Sequence, residues 1–480
     1  MRKKFIVNLI LLLALNLLVK PFWILGIDRR VQNLVGDQEY GLYFSLFNFS
    51  ILLNILLDLG ITNYNNRNIA QHRFLLNKHL SNIVTLKLLL AVVYALITFG
   101  VAVVIGYNSM QFHLLVFLIL NQFLVSFILY LRSNLAALYL FKTDSFISVL
   151  DRILMIAICS VLLFTNITGG QFTITWFVYS QTGAYILATL ITLFIVLSKS
   201  GTLRLKLNLK FSLVFLKKSY PYAILFLLMS FYNRIDSVML ERLLPGTEGK
   251  EQAGIYAQAF RLLDAVSMFG VLFAGLLLPI FSRMIKHREH PGQMVRLSFT
   301  FLFVIAVLIT VSSIFYNDEI MGLLYHSNVH MSSAILGILM PGFLGIASTY
   351  IFGTLLTANG SIKQLNRMAV SFMIINVSLN LILIPEFKAF GSAYSSLATQ
   401  LTAGLAQFFL AMSIFKFKTD FKYLFQLLIF IIAVIGIGWA SQFIGNNAVG
   451  YFGMLLAGVL VAFMIRLINL RDIFMIVRNE

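Results

Sequence analysis

Apolar stretches of about twenty residues recur along the whole chain, and they constrain its fold more than any other feature. A helix needs about twenty such residues to cross the ~30 Å hydrocarbon core of a bilayer. Of the 480 residues, 60% are hydrophobic and 11% are charged, whereas a soluble domain carries roughly a quarter charged residues. The chain is therefore predicted to be an all-α polytopic membrane protein.

Length and hydropathy predict about fourteen transmembrane helices. The basic start, Met1 to Lys4, precedes an apolar run as in a signal peptide, but the run has no small-residue cleavage site. We therefore expect an uncleaved first helix. The predicted spans are 5–27, 40–62, 82–106, 112–140, 146–165, 172–198, 214–241, 253–281, 295–316, 331–358, 366–385, 390–415, 422–443 and 449–468.

Lysine and arginine are distributed unevenly between alternate loops. An excess of these residues marks the cytoplasmic side of a membrane, so both termini are predicted to be cytoplasmic. The net charge of +18 then reflects topology and contact with anionic lipids rather than nucleic acid. Loops on the terminal side hold Arg67, Arg73, Lys78, Lys142, Lys199, Arg204, Lys206, Lys210, Lys217, Lys218, Arg283, Lys286, Arg288, Arg296, Lys363, Arg367, Lys416, Lys418 and Lys422, whereas the opposite loops hold Arg29, Arg30, Arg242, Lys250 and Lys388.

The longest basic loop separates six predicted spans from eight. This division predicts two six-helix lobes followed by two extra helices. The predicted organisation is an N-lobe at 1–198, a cytoplasmic linker at 199–219, a C-lobe at 220–415, and two helices with a cytoplasmic tail at 416–480.

A short internal repeat supports the two lobes. Residues 41–47 and 254–260 both fit the pattern G-[LI]-Y-x-x-x-F, and each opens a predicted helix after an outer loop. Equivalent helices six spans apart run in the same direction. The repeat is therefore predicted to be parallel, with a pseudo-two-fold axis along the membrane normal.

Six cations fall inside predicted spans, where a charge at the bilayer centre costs at least ~2.5 kcal/mol. Lys87 lies in the cytoplasmic third, and its long side chain is expected to snorkel to the interface. For Arg132 and Arg152, at similar depth, snorkelling and binding stay open. The sequence predicts a cationic cavity whose candidate substrate-binding residues are Lys20, Arg132, Arg152, Arg234 and Arg261.

Three acids inside predicted spans are candidates for coupling or gating: Asp58, Asp236 and Asp264. Asp236 and Asp264 are also possible structural partners of Arg234 and Arg261. Arg261 and Asp264 are three residues apart, hence on one helical face. Asp58 ends the second span, where it is either a cap-like interfacial acid or part of a gate.

The chain lacks the local motifs of several enzyme classes. There is no Walker-type loop, HExxH pair or nucleophile elbow, so we expect no direct use of ATP and no catalytic residues. The histidines show no metal-site spacing, and we expect no metal or other cofactor. Asn376 and Asn380 are expected to pack between helices.

Several longer blocks resemble the polysaccharide transport family. They are Tyr40–Ala70, RIDSVML (Arg234–Leu240), AGIYAQAFRLLDA (Ala253–Ala265), LLPIFSRM (Leu277–Met284), TLLTANGSIKQLNRMA (Thr354–Ala369), NVSLNLILIP (Asn376–Pro385) and GSAYSSLATQ (Gly391–Gln400). The blocks cover both predicted lobes in family order. One departure is Ser392, where alanine is usual.

The resemblance implies a MATE-like flippase of the multidrug, oligosaccharidyl-lipid and polysaccharide exporter superfamily, from the O-antigen or capsule branch. It implies an undecaprenyl diphosphate-linked oligosaccharide as substrate, a bacterial inner membrane as location, and a glycan polymerase and chain-length regulator as candidate partners. Two alternatives are a cation-coupled multidrug exporter, which favours acidic lobes, and a glycan polymerase or ligase, which is expected to carry a large periplasmic loop.

Overall fold

The computed structural model describes residues 11, 14–62, 65, 69, 75–138, 140–165, 172–200, 209–417 and 420–468. Every regular element in these ranges is helical, as predicted. Several predicted features lie outside the described residues: both chain ends, at 1–10 and 469–480, the linker residues 201–208, and the loop cations Arg67, Arg73, Arg204, Lys206 and Lys418.

Fifteen α-helices are numbered here in chain order. Two π-helical turns, Trp23–Asp28 and Thr349–Gly353, and one 3-10 turn, Asn54–Leu57, interrupt or extend them. The helices are α1 (Arg29–Leu52), α2 (Leu75–Ile105), α3 (Ser109–Ala137), α4 (Phe141–Phe164), α5 (Ile174–Ser200), α6 (Leu209–Leu243), α7 (Glu248–Lys286), α8 (Gly292–Phe315), α9 (Asn317–Leu324), α10 (Val329–Leu339), α11 (Gly342–Ser348), α12 (Thr354–Ala358), α13 (Ile362–Phe415), α14 (Phe421–Ser441) and α15 (Asn447–Met464).

The predicted count of about fourteen spans is confirmed. Eleven described helical segments are long and apolar enough to cross a membrane. One of them, α13, has 54 residues and contains two crossings separated at Lys388, whose φ is 53°. The second crossing within α13 therefore raises the number of spans to twelve. The helical residues 14–35 and 37–52 supply the first two spans of the chain, which brings the total to fourteen.

The predicted first outer loop, between residues 27 and 40, is wrong. Helical backbone continues through Arg29 and Arg30 to residue 35, and the second span begins at residue 37, so α1 is broken at Gly36. Gly36 makes the turn alone, with a φ of 81° that only glycine adopts without strain. Asp28 and Gln32 are consequently buried, at 1% exposure each, rather than in a loop.

The chain forms two compact units, Met1–Gly254 and Ile255–Glu480. The first unit includes α6, which polar contacts tie to the helices before it. Asn48 donates to the Ser237 hydroxyl at 2.9 Å, and Gln111 donates to the Glu241 carboxylate at 2.9 Å. The predicted lobe boundaries, 1–198 and 220–415, stay a prediction.

Two glycines of the internal repeat meet inside the first unit. A Cβ on Gly41 would lie 1.9 Å from the Lys250 carbonyl oxygen, and a Cβ on Gly254 would lie 2.0 Å from that of Asp37. Gly41 thus packs against the carbonyl four residues before Gly254, and Gly254 packs against the carbonyl four residues before Gly41. The repeated tyrosine and phenylalanine form stacked pairs as well, Tyr43 with Phe47 and Tyr256 with Phe260.

In the second unit, the two C-terminal helices pack on α8. Val311, Phe430 and Met454 belong to one buried cluster that joins α8, α14 and α15. The two halves of α13 are held together by polar side chains, because Ser392 donates to Asn380 at 3.0 Å and Ser395 to the Asn376 carbonyl at 2.9 Å. The prediction that these asparagines pack between helices is confirmed.

Candidate functional site

Arg152, in α4 of the first unit, is surrounded by aromatic rings. Its guanidinium carbon lies 5.8 Å from the Trp23 ring centroid and 5.9 Å from that of Tyr185. Cation–π contact of this kind holds a guanidinium in place without neutralising its charge. The Asp151 carboxylate lies 3.7 Å from Nε, beyond hydrogen-bonding distance. The guanidinium donors are therefore suited to an anionic ligand.

The aromatic side of this site is rigid. Trp23 stacks on Phe177 with ring centroids 5.8 Å apart, and Phe177 also meets Tyr43 edge to face at 5.2 Å. Tyr43 is fixed by its hydroxyl, which accepts from the Gln181 side chain at 2.9 Å. Trp23 begins a π-helical turn, an irregularity frequent at functional sites. Three different helices thus position the rings around Arg152.

Lys20 adds a second positive charge to this group. Its ammonium interacts electrostatically with Arg152, Asp151 and Arg132. Three predicted site residues, Lys20, Arg132 and Arg152, therefore lie within range of each other's charge in the first unit. Two like charges in one low-dielectric region repel each other, and an anion between them relieves that repulsion. We refer to Lys20, Arg152, Trp23 and Tyr185 as the Arg152 site.

Arg132 differs from Arg152 in having a carboxylate partner. Its Nε donates to Asp144 Oδ1 at 2.8 Å and its Nη2 to Oδ2 at 3.4 Å. This two-point contact joins α3 to α4 across their short connection. The side chains are 20% and 14% exposed, so Arg132 does not extend freely to the interface. Two of its five N–H donors are thus directed to the Asp144 carboxylate.

The prediction that Lys87 extends to the membrane interface is wrong. Instead of snorkelling, its side chain is 1% exposed, and its ammonium lies 2.7 Å from Asp58 Oδ1. Asp58 also accepts from the hydroxyl of Thr62. Asp58 is therefore more than an interfacial cap, because it supplies the counter-charge of a buried lysine.

The remaining predicted site residues lie in two different units. Arg234 and Asp236 are in α6 of the first unit, where Asp236 is 1% exposed. Arg261 and Asp264 are in α7 of the second unit and are both half-buried. All four engage in further polar or electrostatic contacts.

Two buried acids were missed by the sequence reading. Asp28 accepts a hydrogen bond from the Tyr40 hydroxyl at 2.9 Å, and Glu241 accepts from Gln111. Asp28 precedes Arg29, which was predicted to lie in an outer loop, whereas Glu241 was predicted as the last residue of the span 214–241. For Asp28 the available signal was Gly36, because one glycine is enough to turn the chain and leaves no room for a loop.

Comparison with known proteins agrees with this fold. Residues 8–285 match the model of a family described as "Polysaccharide biosynthesis protein". No curated protein sequence matches the chain. The fold is similar to the structure of the lipid II flippase MurJ in an inward closed conformation, with a TM-score of 0.73 over 97% of this chain and 100% of that chain, at 15% identity.

Two transporters of the MOP superfamily are also similar in fold. An inward-facing multidrug resistance MATE transporter has a TM-score of 0.64 over 85% of this chain and 98% of that chain, at 14% identity. A transporter from Pyrococcus furiosus, noted for the reverse polarity of its binding pocket, has a TM-score of 0.57 over 85% and 94%, at 12% identity. The predicted MATE-like architecture is confirmed.

Proposed function

Because the chain belongs to the polysaccharide biosynthesis protein family, we propose that it is a flippase for lipid-linked oligosaccharides. The substrate is an oligosaccharide repeat unit on an undecaprenyl diphosphate carrier, moved from the cytoplasmic to the periplasmic leaflet of the bacterial inner membrane. A glycan polymerase and a chain-length regulator would then use the product. The chain itself makes and breaks no covalent bond.

The observation that carries this proposal is the aromatic setting of Arg152. A diphosphate needs cationic donors inside the membrane, and a guanidinium binds phosphate through two parallel hydrogen bonds. Rings lie beside the Arg152 guanidinium, and its nearest carboxylate, Asp151, is 3.7 Å from Nε. One donor, Nη1, contacts the Met155 sulfur at 3.1 Å, and a thioether is only a weak acceptor. Lys20 contributes a second charge, and Arg234 and Arg261 are proposed as further diphosphate contacts during alternating access.

Arg152→Ala is expected to lower glycan export by roughly tenfold or more, since two charge-assisted hydrogen bonds are lost. Arg152→Lys should restore only part of it, because an ammonium lacks the planar fork. Flipping of a lipid-linked glycan by the purified protein in vesicles is the measurement.

Arg132→Ala is the matched control. It removes an arginine of the same unit that is paired at two points with Asp144, so its effect should fall on stability rather than on flipping per folded molecule. Equal loss of flipping in both variants, at equal amounts of folded protein, would contradict the assignment of Arg152 to the diphosphate.

A cation-coupled multidrug exporter is the alternative, favoured by the fold shared with a MATE transporter. Asp58, Asp236 and Asp264, the three acids inside predicted spans, are the proposed coupling acids. Drug efflux that is insensitive to Arg152→Ala, together with no glycan flipping, would select this alternative.

The proposed topology is tested by single cysteines in exposed connections. Thr247 lies between α6 and α7, and Glu289 lies between α7 and α8. With both termini cytoplasmic, Thr247→Cys should react with a membrane-impermeant maleimide from outside and Glu289→Cys only after permeabilisation. The native Cys159 is buried and should stay silent. The reverse pattern would invert the orientation.

A further inference from the structure

Four oxygen atoms surround the buried ammonium of Lys87. Nζ lies 2.7 Å from Asp58 Oδ1, 2.9 Å from Ser126 Oγ, 3.1 Å from the Leu57 carbonyl and 3.3 Å from the Ser126 carbonyl. A lysine ammonium has three donors and no acceptor. One carboxylate, one hydroxyl and two carbonyls therefore complete its hydrogen bonding with the side chain 1% exposed.

This set of ligands is of the kind that binds small cations. Carboxylate, carbonyl and hydroxyl oxygens are hard ligands, and one carboxylate balances one positive charge. The ring of Tyr130, whose centroid lies 5.8 Å from Nζ, adds a further favourable face for a cation. We propose that these oxygens form a monovalent-cation site and that the ammonium of Lys87 occupies it. We refer to this covalently attached ammonium as the tethered cation.

The site lies where the second membrane span breaks. Helix α1 ends at Leu52, the 3-10 turn follows at Asn54–Leu57, and Leu59 and Gly60 have φ angles of 44° and 84°. The left-handed conformation is sterically unfavourable for Leu59, since only glycine adopts it freely. Carbonyls at the end of a helix lose their backbone donors. The Lys87 ammonium supplies a donor to one of them, that of Leu57.

The tethered cation joins three spans at this break. Lys87 comes from α2, Ser126 from α3, and Leu57 and Asp58 from the end of the second span. Beyond the break, Asn65 donates to Ser133 at 3.1 Å and to Asn134 at 2.9 Å, which extends the attachment to α3. A cation at the Lys87 position therefore fixes the bend of the second span, and no dissolved ion is needed.

The two partners differ in exposure. Asp58 is 25% exposed, whereas Lys87 is 1% exposed. If the lysine is shortened, a small cation can reach the vacated oxygens past Asp58. The ligand class that fits is a small monovalent cation with N–H donors, such as methylammonium or ethylammonium.

Chemical rescue tests this site. Purified full-length Lys87→Ala should melt roughly 5 °C or more below the wild type, since removing one member of a buried pair is costly. Ethylammonium chloride should restore most of this loss. Tetramethylammonium chloride, which has the same charge but no N–H donor, should not.

Two variants provide matched controls. Lys87→Met fills the same space without charge, so ethylammonium should find no room and have no effect. Arg132→Ala breaks an ion pair outside the site, whose cation is 20% exposed against 1% for Lys87, and should respond equally to both salts. Failure of ethylammonium to stabilise Lys87→Ala selectively, or a melting temperature of Lys87→Ala equal to that of the wild type, would overturn the proposal.

Asp58→Asn keeps the proposal testable if Lys87→Ala is not recovered from membranes. It leaves the ammonium buried without a counter-charge, so its yield and melting temperature should fall below those of Lys87→Met. The opposite order, or wild-type behaviour of Asp58→Asn, contradicts a cation site organised by that carboxylate. These measurements concern folding and are independent of the transported substrate.

Discussion

Alanine at Gly41 is expected to abolish export. Its Cβ would lie 1.9 Å from the Lys250 carbonyl oxygen and within 2.5 Å of the Gly254 nitrogen. Both neighbours are backbone atoms, which cannot rotate away, so the two segments must separate. Overpacking of a close contact costs ~1–3 kcal/mol or more, and we expect the upper end of that range here. The measurement is surface glycan in cells, together with the amount of protein in the membrane.

Gly254→Ala should have a comparable effect, because it disturbs the same contact from the other side. Its Cβ would lie 2.0 Å from the Asp37 carbonyl oxygen. The double variant should be little worse than either single one, since both remove one shared contact and their effects do not add. Additive losses would show that the two glycines act separately.

Gly183→Ala is the control for this prediction. A Cβ on Gly183, in α5, would have no heavy atom within 4 Å. Alanine is the better helix former by up to ~1 kcal/mol, so this variant should be neutral or slightly stabilised. If Gly41→Ala exports glycan as well as Gly183→Ala and the wild type do, the close backbone contact between Gly41 and Gly254 is refuted.

Loss of the Glu241 carboxylate is expected to be the most destabilising change at the predicted outer end of α6. The carboxylate is 4% exposed and accepts from Arg242 at 2.5 Å and 2.8 Å and from Gln111 at 2.9 Å. Glu241→Ala leaves the Arg242 guanidinium, which is 25% exposed, without its carboxylate. We expect a loss of about 2–4 kcal/mol, visible as a lower melting temperature of the purified protein.

Two further variants identify the source of that loss. Gln111→Ala removes one hydrogen bond to the carboxylate and should cost only about 1.5–3 kcal/mol. Adding Arg242→Leu to Glu241→Ala should recover part of the stability, because it removes the unbalanced cation while its apolar side chain still packs on Tyr107. A double variant less stable than Glu241→Ala would show that the guanidinium stacked on Tyr107 matters more than the charge pair.

Composition and periodicity were sufficient for the membrane-spanning architecture. Each span is an apolar run long enough to cross the bilayer, and this requirement acts on neighbouring residues, so it can be read locally. The same holds for the repeat, because Gly41 and Gly254 carry the same motif at equivalent positions of two spans. Its contact was not predicted, however, since nothing local says that the two glycines touch.

The contact partners of each buried charge come from other parts of the sequence. Arg132 and Arg152 lie at similar predicted depth, yet Arg132 meets Asp144 and Arg152 meets Trp23 and Tyr185. Lys87 was expected at the interface because it lies in the cytoplasmic third of its span, and nothing near it in the sequence indicates a counter-charge. Asp58, 29 residues earlier, supplies one.

Local sequence was therefore enough to predict the helices, their number and the costly charges among them. Which charges are paired, which lie against rings, and which helices form the first compact unit followed only from the folded chain. The difference comes from the range of the interactions. The free energy of transferring a helix into lipid is a sum of contributions from its own residues. The neutralisation of a buried charge instead requires a partner within a few ångströms, which only the folded chain provides.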